Sequence, residues 1–278
     1  HKCPTYSHKT PPCQGSCPSG EDIRGWLQIV RGIEKAPEGM SMSEYAFRRS
    51  TTANPFPSQM GRVCPAPCQS GCNRNEVDDY VGINAVEQFI GDKAFNEKYT
   101  FEKAPKLNKE RVAIIGGGPA GLSAAFQLRK MGYASTIFEE REDLGGMMRY
   151  GIPNYRTPRD ILDAEINRIL DLGDIEVVLN KRVGKDIPMD EVEQSHDAVL
   201  WTIGCWNGKA LPIEGSDAEN CLSGVAFLEA FCQGRLKVGS KKVVCVGGGD
   251  TSIDVVSVAR RLGHISNLNP QESPEAVV

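Results

Sequence analysis

The sequence predicts an α/β protein: an all-helical N-terminal domain followed by two doubly wound βαβ domains, the second of them truncated. Three observations carry this reading. Up to about residue 108 the apolar residues recur at helical spacing and form no strand run. Two apolar strands then each lead into a glycine-rich loop and a helix, at Gly116 to Gly121 and at Gly247 to Ser252. Six of the ten cysteines fall within the first 72 residues, ahead of both loops. The expected boundaries are 1–108, 109–222 and 223–278.

In the first segment, Ile23, Trp26, Leu27, Ile29, Val30 and Ile33 mark one helix. Ile83, Val86, Phe89, Ile90 and Ala94 mark another, as core stripes of a small helical domain. Between and before them lie Cys3, Cys13, Cys17, Cys64, Cys68 and Cys72, three of them followed directly by proline. The run Cys64-Pro65-Ala66-Pro67-Cys68-Gln69-Ser70-Gly71-Cys72 is stiffened by its prolines and suits metal ligation better than core packing. A secreted disulfide framework fits poorly in a chain this long with nucleotide loops. Zinc would take four thiolates in two pairs, and the spacing can be forced into that pattern. Iron–sulfur clusters draw cysteines from separated loops, often with proline after one of them, and fit best. That reading makes residues 1–108 an iron–sulfur domain and implies a reducing cytoplasm. Cys205, Cys221, Cys232 and Cys245 are scattered and read as buried small hydrophobes.

The charged stretch from Lys103 to Glu110, with Pro105, reads as a linker. Arg111 to Ile115 is then a short buried strand, and Gly116-Gly117-Gly118-Pro119-Ala120-Gly121 opens a helix reaching about Met131. Tyr133 to Glu139 is the next strand, and Glu139 lies 18 residues beyond Gly121. This context makes the loop a dinucleotide fingerprint rather than a simple corner. Gly116 permits the tight turn, Gly118 lets backbone approach a pyrophosphate, and Gly121 lets helix and strand pack closely. The helix start at Pro119 and Ala120 offers N–H groups to phosphate, and Glu139 is placed to accept from a ribose. Ile175 to Leu179 and Ala198 to Thr202 are further expected strands. Lys241 to Val246 is a later one, entering the second loop, where Ser252 replaces the third glycine. Gly247, Gly249, Asp250 and Thr251 are the cofactor candidates there, and helix capping by Asp250 is the alternative. After His264 comes loop chemistry instead of the next strand, so the second domain is cut short.

The chain carries 32 Lys plus Arg against 36 Asp plus Glu, and 40 % of it is hydrophobic. Neither nucleic acid nor an anionic membrane is an expected partner, because each would want a basic face. No apolar run approaches the roughly 18 residues that span a bilayer.

Cys17-Pro18, Gly61-Arg62-Val63-Cys64-Pro65-Ala66-Pro67-Cys68, the first glycine loop, Gly145-Gly146-Met147-Met148-Arg149-Tyr150-Gly151-Ile152-Pro153 and Gly247-Gly248-Gly249-Asp250-Thr251 occur in this order. Together they resemble the glutamate synthase small-subunit family of iron–sulfur flavoproteins, shared with the N-terminal half of dihydropyrimidine dehydrogenase. The stretches Thr10 to Cys17 and Glu21 to Trp26 are similar to the branch that works with dissimilatory sulfite reductase in sulfur metabolism. The resemblance covers residues 1–263. It implies two [4Fe–4S] clusters, FAD and NAD(P)H. One cluster would take Cys3, Cys13, Cys72 and a cysteine upstream of His1, although the spacing between Cys3 and Cys13 departs from the family's. The other would take Cys17, Cys64, Cys68 and a side chain of the following helix, Glu87 or its neighbour Gln88. Gly146 and Arg149 would lie beside the isoalloxazine, Arg149 tuning it or standing as an ordinary surface arginine. Val183 matches a backbone contact to adenine, and Thr202 and Gly204 match the crossing between the nucleotide domains. The family's C-terminal return segment is expected to be missing.

The implied activity is an NAD(P)H:acceptor oxidoreductase relaying electrons to or from a partner redox protein. Dissimilatory sulfite reductase and a glutamate synthase large subunit are the candidate partners, and a homodimer is an allowed assembly. Hydride transfer needs no acid or base, so no catalytic side chain is expected. A non-catalytic electron-transfer or assembly subunit and a zinc-containing flavin reductase are the rival readings.

Overall fold

The computed structural model describes residues 10–209, 211–240 and 242–264. Cys3 and the residues beyond His264 lie outside them. The chain divides into two compact units. One comprises the described residues up to Lys106 together with Phe126–Gly132 and Asp160–Asp174. The other comprises Leu107–Ala125, Tyr133–Arg159 and the described residues from Ile175 onward.

The first unit is helical: α1 (Pro12–Ser16), α2 (Ile23–Val30), α3 (Met42–Ser50), α4 (Pro57–Val63), α5 (Pro67–Ser70) and α6 (Ile83–Asn96), with a 3₁₀ turn at Asn73–Glu76. Side chains start α2 and α3. Asp22 accepts from the Gly25 N–H at 3.1 Å and Ser41 from the Glu44 N–H at 3.1 Å, satisfying donors that the first turn leaves open. Proline opens α1, α4 and α5, where its missing N–H costs nothing. Trp26, Ile29, Phe47, Ile83, Ile90 and Ala94 form the core. Phe101 stacks on Phe47 and packs on Phe126, and the Arg168 guanidinium lies 5.2 Å from the Phe47 ring centre. Three stripe expectations need correction. Phe89, Ile33 and Val30 are exposed, Phe89 and Ile33 by more than half. The buried face of α6 instead runs Ile83, Glu87, Ile90, Gly91 and Ala94, so a carboxylate occupies a core position.

In the second unit, β1 (Arg111–Ile115), β2 (Ala134–Phe138), β3 (Ile175–Val178) and β4 (Ala198–Trp201) form a parallel sheet in the order β3-β2-β1-β4. The central strand β1 buries Ala113, Ile114 and Ile115, which is why it reads as an unbroken apolar run. In chain order among these strands come α7 (Pro119–Lys130), α8 (Met147–Tyr150), α9 (Arg159–Leu170) and α10 (Met189–Ser195), of which α7 from Phe126 and α9 from Asp160 are counted with the first unit. Helices α11 (Gly224–Cys232) and α12 (Asp250–His264) follow, and Phe227, Leu228, Leu236, Val255 and Val258 form a separate core with them.

The expected strand at 241–246 forms no ladder over its described residues. A parallel strand needs a neighbour, no described segment pairs with this one, and Val244 and Val246 are left 77 % and 71 % exposed. The four scattered cysteines also differ from expectation. Cys205 and Cys221, in the irregular stretch after β4, are exposed, and Cys232 and Cys245 are half-buried.

Candidate functional site

The cysteines of the first unit sit at helix ends. Cys13 lies in α1 and Cys17 caps its C-terminus, the Cys17 N–H donating to the Cys13 carbonyl at 3.1 Å. Cys64 caps α4, Cys68 lies in α5, and Cys72 precedes the 3₁₀ turn. Between Cys64 and Cys68 the chain reverses through Ala66, a non-glycine residue at φ +53° flanked by two prolines. Such strained backbone persists only where its surroundings over-determine it, and it gathers at functional sites. The Ala66 N–H donates to the Cys64 Sγ at 3.4 Å.

Helix α4 carries Cys64 to Glu87 because α4 and α6 touch at their backbones. A Cβ on Gly61 would stand 2.4 Å from the Gln88 nitrogen, and one on Gly91 would stand 2.2 Å from the Ser58 nitrogen. The Glu87 carboxylate, 6 % exposed, accepts from Asn54 Nδ2 at 2.7 Å. Burial, with Glu21 beside it, pushes the Glu87 carboxyl up to about 9. Glu21 is likewise buried and shifted upward, by burial first, with Asn54 and Glu87 beside it easing the shift. Gln88 turns to Asp92, which pairs with Arg62 at 2.8 Å.

The thiols fall into two electrostatic groups. Burial raises Cys64, which also feels Glu87 and Cys17, and burial pushes Cys68 up to about 11, with Cys64, Cys17 and Glu87 adding to the rise. Cys13 is raised by burial, and its thiol neighbour is Cys72. Among the described residues no three His, Cys, Asp or Glu side chains converge closely enough to grip one ion.

In the second unit the first glycine loop has the geometry of a phosphate cradle. Gly116 sits at φ +112°, and its missing Cβ would lie 2.5 Å from the Thr202 carbonyl oxygen. A Cβ on Gly121 would lie 2.1 Å from the Gly116 oxygen. Glycine is therefore required at both for the strand, loop and helix to close. A Cβ at Gly118 would meet only the Gly146 Cα, at 3.7 Å, so one side of the loop is open backbone. The Gly145 to Pro153 segment docks there: the Gly145 N–H donates to the Gly117 oxygen at 2.8 Å. Glu139, at the end of β2, accepts from the Gly117 N–H at 2.7 Å and from the Arg141 N–H at 3.0 Å. The Thr202 hydroxyl donates to the Ile115 and Gly116 carbonyls.

Arg149 donates through Nε to the Leu144 carbonyl at 2.6 Å. Val183 packs with Val178, Ile187 and Val199 against Ala113, Ile115, Phe138 and Val192. Gly204 takes φ +70° beside Trp206. At the second loop Gly247 stands at φ +126°, where a Cβ would approach Ser252 Oγ at 2.7 Å, while Gly248 and Gly249 face open space. Asp250 and Thr251 begin α12. Sequence reasoning missed Glu21, Asn54 and Arg159. Each acts by burial or by bonding to backbone, which leaves no periodic or motif signal.

Residues 110–273 match the family described as pyridine nucleotide-disulphide oxidoreductase. The chain belongs to this family. Residues 2–99 match the family described as dihydropyrimidine dehydrogenase domain II, 4Fe-4S cluster. The β subunit of NADPH-Fe(3+) oxidoreductase from Geobacter sulfurreducens is 37 % identical, over 91 % of this chain and 37 % of its own. Glutamate synthase [NADH] from Saccharomyces cerevisiae is 37 % identical, over 84 % of this chain and 11 % of its own. The glutamate synthase [NADPH] small chain from Mycobacterium tuberculosis is 34 % identical, over 92 % and 54 %. The chain thus spans about half or less of the length of these relatives. The two matched families in this order, with glutamate synthase relatives, bear out the expected placement among glutamate synthase small-subunit-like iron–sulfur flavoproteins. None of these relatives is named for sulfite reductase. Among the described residues no helix is long and apolar enough to cross a membrane.

Proposed function

We propose that this chain is an NADPH:acceptor oxidoreductase that passes electrons between a nicotinamide nucleotide and a partner redox subunit, through FAD and two [4Fe–4S] clusters. The observation that carries it is the pairing of an open glycine cradle at Gly116 to Gly121, closed by the Gly145 to Pro153 loop, with two separate thiol groups in the other unit. When bound, the flavin supplies the conversion between a two-electron hydride and the single electrons that iron–sulfur clusters carry.

The chain's own residues bind and orient. N–H groups at the start of α7 would face a pyrophosphate, and Gly118 would let backbone approach it. Glu139 braces the loop through Gly117 and keeps acceptor capacity for a ribose. Gly146 and Arg149 would lie along the flavin ring, Val183 near adenine, and Thr202 and Gly204 at the crossing between nucleotide sites. Gly247, Gly249, Asp250 and Thr251 would receive the nicotinamide nucleotide. Residues 1–108, 109–222 and 223–278 would be the iron–sulfur, FAD and nicotinamide nucleotide domains.

Cys17, Cys64, Cys68 and Glu87 would supply the donor set for one cluster, three thiolates and a harder carboxylate. Their shared electrostatic neighbourhood supports this, as does the turning of Gln88 toward Asp92. Cys13 and Cys72, with Cys3, would serve the second. No side chain is required to move a proton during hydride transfer.

The relatives' names favour a partner subunit and include both nicotinamide nucleotides, NADPH twice and NADH once among those above. A glutamate synthase large subunit therefore has more support as partner than dissimilatory sulfite reductase. The cytoplasm is the proposed compartment. Purified anaerobically, the protein is expected to contain FAD, about eight irons for two cubane clusters and matching sulfide, and to oxidise NADPH faster than NADH. Stoichiometric zinc in place of iron, or no oxidation of either nucleotide, would contradict the proposal.

A further inference from the structure

The loop that closes on the first glycine cradle is held from behind by a guanidinium that reaches three of its residues and Thr157 just beyond it. Arg159, the first residue of α9, donates through Nη1 to the carbonyls of Met148 at 2.9 Å and Thr157 at 3.1 Å, and to Thr157 Oγ1 at 2.8 Å. Its Nη2 donates to the carbonyls of Arg149 at 2.5 Å and Ile152 at 2.8 Å. Helix α8 has only four residues, so most of its carbonyls find no partner further along their own helix. A planar guanidinium, with donors in a fixed fork, collects such carbonyls where an ammonium cannot. Cys232, on α11, sits against Arg159 and turns its thiol to the Ile152 carbonyl at 3.5 Å.

The front of the same loop leaves no slack. A Cβ on Gly146 would lie 2.7 Å from the Gly118 Cα, and the Gly145 N–H is already bonded to Gly117. We propose that Arg159 is a positioning residue for the flavin: by gathering the carbonyls of Met148, Arg149, Ile152 and Thr157 it fixes Gly145 to Pro153 against the glycine cradle. Nη1 and Nη2 bond four carbonyls and the Thr157 hydroxyl of this segment, so it acts through the loop. The inference rests on the reading of that loop as the flavin's neighbour.

The test compares the full chain with its Arg159→Lys and Arg159→Ala variants in FAD titrations, flavin absorption spectra and iron content. Losing the fork is expected to weaken FAD binding by about tenfold or more in Arg159→Ala, the scale of a lost charged hydrogen bond. The flavin band should shift while iron stays at the wild-type level. Arg159→Lys keeps the charge but not the planar fork, and should recover only part of the affinity. Should Arg159→Ala fail to fold, the Lys variant decides alone, a weaker and spectrally altered flavin supporting the role. Wild-type affinity and spectrum in both variants, or full recovery by lysine, would overturn the clamp and leave the proposed function standing. A wild-type chain that takes up no FAD would overturn both.

Discussion

Glu87 shows how much one side chain's meaning depends on its surroundings. On an isolated helix it would be a solvated carboxylate. Here it faces the core, accepts from Asn54 and shares its pocket with Glu21. A carboxyl pushed up to about 9 by burial is costly to ionise unless a cation compensates it. An iron ligand would reverse that shift. Glu87→Ala is therefore expected to lose or convert one cluster while leaving FAD content unchanged, seen as a drop in iron and an altered EPR spectrum. An unchanged spectrum would remove Glu87 from the donor set. The family resemblance pointed to Glu87 as the expected ligand, with Gln88 the alternative, so the pair to weigh was legible. The choice between them was not, because it turns on which side chain reaches Asn54 and which reaches Asp92.

Among the elements, the α4–α6 pair sets the geometry of the thiol groups. Gly61 and Gly91 let the two backbones meet, and no sequence pattern distinguishes them from glycines that merely turn a corner. Replacing either by alanine should force the helices apart. The expected cost is about 1–3 kcal/mol by the usual scale of overpacking, with iron lost before the second unit is affected. Thermal unfolding followed together with iron release checks this, and a full iron complement at wild-type stability would show that the pair has slack. The first glycine loop was legible because strand, spacing and acidic partner agree. The apolar run at 242–246 looked equally strand-like, but a strand is made by its neighbours, and the chain alone does not announce which neighbour is at hand. The Arg156–Asp254 ion pair, at 2.6 Å, was likewise hidden, since its partners lie 98 residues apart. It ties the loop after α8 to α12. Asp254→Asn should weaken nicotinamide nucleotide binding several-fold while sparing FAD affinity, measured by parallel titrations; equal loss of both would place its role in general stability.

For the whole molecule, buried carboxyls set the expected response to pH. Glu87 is shifted to about 9 and Glu165 to about 7, both mainly by burial, from an ordinary value of 4.5. A raised folded-state pKa gives stability that is full below the unfolded value and is lost as pH rises through the folded one. The iron-free protein should therefore lose stability between about pH 5 and pH 9, and Glu165→Gln should flatten part of that decline. A melting temperature that rises over this range would contradict the assignment. Asp92, lowered by Arg62 and Ser58 against the cost of burial, acts in the opposite sense and protects only above its unfolded value of 3.8.

The order of the two matched families, cysteine-bearing helices before the nucleotide loop, was readable because each obeys a different periodicity. How the electrons leave was not readable, since a partner's identity is written on its own surface. The most direct test of the relay is anaerobic mixing of the holoprotein with NADPH, following flavin absorbance and freeze-quenched EPR together. The account predicts flavin bleaching and then a reduced iron–sulfur signal within the same turnover. Bleached flavin beside clusters that stay oxidised, even with the partner subunit present, would contradict it.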